Sequence, residues 1–243
     1  VTTWEGLIKS VRAKVKGTKV KIRLGASSGE WKAMVADEAA RTTFAKNIKT
    51  VLEKNKLDGI DLDFEWAENE KEYKDYSLAI LKMREVLGDK YLFSVSLHPV
   101  CYKISKEAIE AVDFISLQCY GPSPVRFPIE KYCSDIQMVL EYGIPKEKLV
   151  AGVPFYGVTK DNSKKTEAYF NFVQNGLVTS PAQNEVIYQG DTYVFDGQDN
   201  IRIKTRYAKE QKLKGMMSWD LATDLPLSDS RSLLKTMTEE LRE

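Results

Sequence analysis

The chain has 243 residues, 43% of them hydrophobic, which is enough for a substantial core and argues against intrinsic disorder. Its formal net charge is +1 with both signs interspersed, so it carries neither the basic field of a nucleic-acid binder nor an acidic tail. Hydrophobic periodicity then divides the chain. Trp4, Leu7, Ile8, Val11 and Val15 recur at helical spacing, and Gly17 ends that helix. "KVKIRLG" (19–25) reads as a strand, residues 37–54 as a helix, and "LDGIDLDFEW" (57–66) as a strand. A long amphipathic helix is expected over 69–87, a strand over 91–97 and a short helix over 105–110. "DFISLQCY" (113–120) reads as a strand, 129–142 as a helix and "KLVAGVPFYG" (148–157) as a strand. Beyond these, 165–175 looks helical, and 185–197 looks like a hairpin turning at Gly190-Asp191. A helix over 201–213, a strand over 215–221 and a terminal helix follow.

Strand and helix alternate throughout, the pattern of an α/β fold with a parallel sheet and crossover helices. Six principal strands are expected, whereas a closed (β/α)8 TIM barrel needs eight. If the fold is such a barrel, its first two βα units are lacking from this chain. The opening "VTTWEGLIKSV" has no initiator Met and reads as helix from its start, so further residues are expected before it. No run is long and apolar enough for a membrane span. Three cysteines without a CxxC pair indicate neither a disulfide framework nor a zinc site, though one disulfide stays open. A single histidine, His98, makes a multi-histidine metal site impossible.

The stretch "DGIDLDFEW" (58–66) carries the most chemistry. Residues i, i+2 and i+4 of a strand share a face, so Asp61, Asp63 and Glu65 line one side and Ile60, Leu62 and Phe64 the other. Asp58 has the opposite parity and is expected to serve the start of the strand. In a barrel the apolar set meets the outer helices and the acids point inward. Glu65, at the strand's end, then lies at the C-terminal mouth, where barrel enzymes keep their chemistry. Three carboxylates on one strand face repel one another and share protons, and a carboxyl kept protonated near neutral pH is what a general acid needs. A Ca²⁺ loop would follow DxDxDG spacing, but Trp66 follows Glu65 here. A Mg²⁺ site built from DxDxE stays open, although no Gly-rich phosphate loop accompanies it.

These residues resemble glycoside hydrolase family 18, the chitinase family. Its DxxDxDxE signature is complete as Asp58, Asp61, Asp63 and Glu65. "DFISLQCY" looks like the family's strand ending in a catalytic tyrosine, here Tyr120. "LVAGVPFYG" looks like the next strand, and "GMMSWDLATD" like the last, whose tryptophan is Trp219. The resemblance implies one catalytic barrel domain over 1–243 with a short insertion at about 160–200 between the last two strands. It also implies a retaining, substrate-assisted mechanism. Glu65 would protonate the glycosidic oxygen, and the substrate's own 2-acetamido oxygen would attack the anomeric carbon to form an oxazolinium ion. Asp63 would orient the acetamido N–H, Asp61 would share a proton with Asp63, and Tyr120 would hydrogen-bond the acetamido oxygen. Trp219 would floor the reacting sugar, with Gln118 and Tyr156 as further substrate-binding residues. No metal and no cofactor are implied.

Several positions depart from the family's pattern. Gln118-Cys119-Tyr120-Gly121 stands where many members have Met-x-Tyr-Asp, and Arg23-Leu24-Gly25-Ala26 where SxGG is common. Arg23 reaches either the acidic cluster or the outside. The short stretch between Gly157 and Gly215 implies a shallower groove than in relatives with a full α+β insertion. His98 is expected near the mouth, in a surface or packing role rather than on substrate.

The leading expectation is a chitinase-like hydrolase cleaving β-1,4 bonds in N-acetylglucosamine polymers or oligomers. An endo-β-N-acetylglucosaminidase acting on N-glycans or cell-wall glycans would use the same strand. A non-catalytic chitin-binding lectin is the third reading, and the retained Glu65 weighs against it. The expected partner is an oligo- or polysaccharide containing N-acetylglucosamine, not nucleic acid, and a monomer is expected. Family habit implies a secreted or extracytoplasmic protein, although this chain shows no signal peptide.

Overall fold

The computed structural model describes residues 3–27, 29–121, 127–161 and 165–242. The chain divides into two compact units, Val1–Ile115 and Ser116–Glu243.

The first unit opens with helix α1 (Trp4–Lys14), whose N-terminus is capped by the Thr3 hydroxyl accepting from the Gly6 N–H at 3.1 Å. No residue of α1 is buried, and Trp4, Leu7 and Val11 lie exposed. Strand β1 (Arg23–Ser27), helices α2 (Trp31–Ala36) and α3 (Glu38–Asn55), and strand β2 (Gly59–Asp63) follow. Helix α4 (Glu70–Leu87), strand β3 (Leu92–Leu97), helix α5 (Lys106–Ala111) and the start of β4 (Phe114–Leu117) complete the unit. The starts of α3, α4 and α5 are capped: Asp37, Asn69 and Ser105 each accept a hydrogen bond from a first-turn N–H.

β1, β2 and β3 run parallel, with Gly25 opposite Asp61, Ser27 opposite Asp63, and Asp61 opposite Ser94. Asp58 does serve the strand start: its Oδ2 accepts from the Ile22 N–H at 2.8 Å, and its own N–H donates to the Ile22 carbonyl. On the helix side of β2, Ile60, Leu62 and Phe64 are fully buried. Each contributes about 1.5–3 kcal/mol by leaving water. Phe64 stacks on Trp31 of α2 at 5.3 Å and meets Tyr76 of α4 at 5.4 Å, so the apolar face of β2 has an aromatic cover.

The second unit holds the end of β4, helix α6 (Ile129–Tyr142) and strand β5 (Leu149–Pro154). Strands β6 (Tyr156–Thr159) and β7 (Thr166–Ala168), helix α7 (Tyr169–Gln174) and strands β8 (Glu185–Tyr188) and β9 (Asp191–Val194) come next. Helix α8 (Gln198–Glu210), strand β10 (Gly215–Trp219) and helix α9 (Leu233–Arg242) close the chain. β10 pairs in parallel with β5, Met217 opposite Gly152 and Trp219 opposite Pro154. A separate four-stranded sheet has the order β7-β6-β9-β8, and the pairings within it are antiparallel. Phe172 of α7 packs on Tyr193 and Phe195 at 5.4 and 5.3 Å beneath that sheet. Inside this unit Lys204 and Asp196 form a fully buried ion pair at 2.5 Å, with Asn200 donating to the other Asp196 oxygen. The Lys204 ammonium also lies 5.5 Å from the Tyr132 ring centre.

The six expected strands are present, with shifted ends. β1 starts at Arg23 rather than at residue 19, and β2 stops at Asp63, which leaves Glu65 two residues past the strand. β4 stops at Leu117, so Gln118 and Tyr120 also lie past a strand end. The stretch 148–157 is two strands, β5 and β6, broken at the buried Phe155. Residues 165–175 begin as strand β7 before α7 starts at Tyr169, because Thr166–Ala168 finds a partner in β6. The hairpin turns at Gln189-Gly190, one residue earlier than expected, since Tyr188 pairs with Asp191. α2 was not expected. Its six residues are too few to show a period, and it is held by burial of Trp31 and Val35. Cys101, Cys119 and Cys133 are all free. No helix among the described residues is long and apolar enough to cross a membrane.

Two substitutions test this packing. A Cβ on Gly59 would stand 1.9 Å from the Leu92 carbonyl oxygen, a backbone atom that cannot step aside. Gly59→Ala is expected to cost about 3 kcal/mol and to lower the thermal midpoint, read by circular dichroism, by about 5–10 °C. Lys204→Met leaves Asp196 buried without its cation, at an expected cost of about 3 kcal/mol in urea unfolding.

Candidate active site

The acidic candidate residues belong to the first unit. Asp61 and Asp63 share the face of β2 opposite Ile60 and Leu62, and both are half-buried, whereas Glu65 beyond the strand is exposed. The Glu65 backbone carbonyl accepts from Trp31 Nε1 at 3.1 Å, which ties the carboxylate's chain position to the aromatic cover of β2.

Asp61 is held from both sides. Its Oδ2 accepts from the Ser96 hydroxyl at 2.7 Å, and its Oδ1 accepts from the Ser94 hydroxyl. Ser94 Oγ in turn accepts from the Arg23 guanidinium, which stands 3.8 Å from Asp61 Oδ1. Arg23 therefore points to the acidic cluster, settling the alternative left by the sequence. Its guanidinium lies 4.6 Å from the Phe114 ring centre. Burial pulls the Arg23 guanidinium below its usual range, while Asp61 and Asp113 pull it back up. Tyr76, buried behind the strand, keeps its proton: burial raises it well above the ordinary phenol range, and Asp61 and Asp63 add to the effect. Ser94 and Ser96 were not singled out from the sequence. The alternation in "FSVSL" carried the signal, because it puts both hydroxyls on one face of the neighbouring strand.

His98 is buried rather than displayed. Its ring lies 5.1 Å from that of Trp66, and the Val100 N–H reaches its Nδ1 at 3.4 Å. It packs at the end of β3, where the Ala67 N–H meets Cys101 Sγ at 3.2 Å.

The aromatic candidate residues belong to the second unit. Tyr120 is buried, and its hydroxyl lies 3.9 Å from Met217 Sδ. Its ring meets Tyr156 edge-on at 6.4 Å, and Phe127 approaches Tyr156 at 6.5 Å. Gly152 makes room for this cluster: a Cβ there would come within 2.7 Å of Met217 Cε and 3.0 Å of Tyr120 Cε1. Met217 and Trp219 are two apart on β10 and share a face, so Trp219 lies on the side that Tyr120 touches. Met216, of opposite parity, meets the Tyr132 hydroxyl of α6 at 3.5 Å. Trp219 is 56% exposed, which leaves its ring open as a flat apolar platform. Gln118 is buried just past β4. The second unit thus brings Tyr120 and Tyr156 together around Met217. Phe127 and Met217, unmarked in the sequence, belong to that cluster together with Val158 and Val194. Phe155 is buried in the core and does not join it.

The comparisons with known proteins agree with this architecture. A family model described as Glycosyl hydrolases family 18 matches residues 5–224. "Probable chitinase 2" of Drosophila melanogaster is 23% identical over 273 residues, covering 85% of this chain and 56% of its own length. "Chitinase A1" of Niallia circulans is 23% identical over 292 residues, covering 87% of this chain and 42% of its own. The chain thus spans about half the length of these curated relatives. A solved chitinase from Bacteroides thetaiotaomicron matches with a TM-score of 0.85 at 22% identity, over 96% of this chain and 80% of that one. A chitinase-like agglutinin from Robinia pseudoacacia matches with a TM-score of 0.81 at 18% identity, over 98% of this chain and 85% of that one. At such identities the likeness shows the fold, an α/β arrangement consistent with a partial (β/α)8 barrel. With the family model matching nearly the whole chain and the DxxDxDxE signature complete at Asp58, Asp61, Asp63 and Glu65, the chain belongs to the glycosyl hydrolases of family 18.

Proposed function

We propose that the chain is a chitinase-like glycosidase that cleaves β-1,4-linked N-acetylglucosamine polymers or oligomers with retention of anomeric configuration. The observation that carries this reading is the acid row: Asp61 held by two serines, Asp63 two residues on, and Glu65 exposed past the strand end. A general acid has to reach the glycosidic oxygen, and an exposed carboxyl at the end of a parallel strand suits that task. Glu65 protonates the leaving oxygen. Asp63 orients the substrate's 2-acetamido N–H, and the acetamido oxygen attacks the anomeric carbon. A tethered nucleophile of this kind has a very high effective molarity, so no protein carboxylate has to bond to the sugar. Tyr120 hydrogen-bonds the acetamido oxygen. Water activated by Glu65 then opens the oxazolinium ring and restores the Glu65 proton.

Trp219 offers its exposed ring to the C–H face of a pyranose, and Gln118 and Tyr156 serve the same sugar. The same reading takes residues 1–243 as one catalytic domain, with a short insertion at about 160–200, acting as an exported monomer without a cofactor. The agglutinin among the structural matches keeps a second reading in view, a carbohydrate-binding protein that does not cleave.

Hydrolysis of an N-acetylglucosamine tetramer, with the product anomers followed by NMR, separates the two. Wild type is expected to release the β-anomer first, and Glu65→Gln to lose about 10³-fold or more in kcat/KM while still binding the tetramer. Binding without cleavage by wild type would defeat cleavage by this chain and favour a lectin or a truncated barrel instead. Trp219→Ala is expected to raise KM by about tenfold, the loss of one sugar-stacking surface, with a smaller effect on kcat.

A further inference from the structure

Residues 64–68 carry Glu65 outside any strand or helix, so no backbone ladder holds them in place. We propose that the turn from His98 to Cys101, at the end of β3, is a positioning element for Glu65: it clamps the two residues that follow Glu65, Trp66 by ring contact with His98 and Ala67 by the Cys101 thiol. Its bearing on hydrolysis rests on the function proposed above. The clamp itself rests on the contacts alone.

The turn is fixed before it meets the segment. The His98 N–H donates to the Cys101 carbonyl at 3.2 Å, and the Cys101 N–H donates to the His98 carbonyl at 2.7 Å. The Tyr73 hydroxyl of α4 donates to the Val100 carbonyl at 3.2 Å, which ties the turn to the helix beside it. His98 and Cys101 are both buried. With the two ends of the turn hydrogen-bonded to each other, neither side chain can swing away unless that pair breaks. Burial pushes the Cys101 thiol up and the charge of Glu65 adds to this, while the Ala67 N–H and Tyr73 act the other way. A thiol raised in this way is neutral near neutral pH, so it holds Ala67 without placing a charge next to Glu65.

The segment in turn has few other ways to settle. Ala67 is buried, and its N–H finds Cys101 Sγ at 3.2 Å. A buried backbone donor without a partner is costly, so this contact selects one placement of the chain. The Trp66 ring lies 5.1 Å from that of His98, and its Nε1 is buried with no hydrogen-bond partner among the described residues. The indole is therefore kept where it is by packing, not by a hydrogen bond of its own. On the other side of Glu65, Phe64 is buried and the Glu65 carbonyl accepts from Trp31 Nε1 at 3.1 Å. Glu65 stands between two anchors: its backbone is fixed and its side chain is exposed. Filling space alone would ask for no acceptor at position 101, and valine would serve as well.

The test compares Cys101→Val, which keeps the volume and removes the acceptor, with Cys101→Ser, which keeps an acceptor. ¹⁵N relaxation of the whole chain reads the Trp66 and Ala67 amides. Wild type is expected at order parameters of about 0.85, Cys101→Val at about 0.6, and Cys101→Ser within about 0.1 of wild type. His98→Leu, which removes the ring that Trp66 meets, is expected to loosen Trp66 likewise and serves if Cys101→Val does not fold. In hydrolysis of the N-acetylglucosamine tetramer, Cys101→Val is expected to lose about tenfold in kcat with KM within about twofold, the mark of a misaligned acid and not of lost binding. Cys101→Ser is expected to recover most of that loss. A residue that only fills the core would lower thermal stability and leave kcat and the order parameters unchanged. Wild-type order parameters in folded Cys101→Val, or a Cys101→Ser as mobile as Cys101→Val, overturn the proposal, as does a loosened segment with unchanged kcat. A wild type without hydrolysis defeats the functional reading alone, since relaxation still decides whether the turn clamps the segment.

Discussion

The two-residue period of β2 is the constraint from which the site follows. A strand has two faces, and on β2 one is wholly committed to Ile60 and Leu62, with Phe64 continuing it under the Trp31–Tyr76 cover. A one-residue slip would bury Asp61 and Asp63 among aromatic rings and expose three large apolar side chains. The hydrophobic face thus fixes where the carboxylates point, with no help from the acids themselves. Gly59 sets the same strand close against Leu92, and this brings Ser94 and Ser96 within reach of Asp61.

Packing and chemistry are shared unevenly among neighbouring strands. β3 contributes hydroxyls on the acid side, while Phe93 and Val95 face the core. β10 alternates likewise: Met216 meets Tyr132, while Met217 meets Tyr120 and sets the side on which Trp219 stands. In each case an apolar residue of one parity anchors the strand and one of the other parity serves the site. The buried Lys204–Asp196 pair performs no such task; it joins α8 to Asp196, two residues before the helix, inside the second unit.

Much of this was legible in the sequence because it depends on local period. The alternation of residues 58–66, the helix starts near 37, 69 and 105, and the order of the six strands all follow from spacing within a few residues. What was not legible depends on partners far along the chain. The direction of Arg23 depends on Ser94, 71 residues away, and on the ring of Phe114. The start of β7 depends on β6, and the burial of His98 depends on Trp66. The strand ends at Asp63 and Leu117 are not marked in the sequence, because Glu65 and Tyr120 continue the apolar–polar run after pairing has stopped.

Helix α1 stands apart in its energetics. It has eleven residues, none of them buried, and its ties to the rest of its unit include two hydrogen bonds from Arg12 to the carbonyls of Asn55 and Lys56. A helix of this length is marginal on local terms alone. Its opening free energy is therefore set by the Thr3 cap and by Arg12 rather than by the hydrophobic core, and it falls near the low end of the protein's range. The amides of α1 accordingly exchange with solvent on their own schedule, and helical signal from these eleven residues is lost before the strands that carry the carboxylates begin to open.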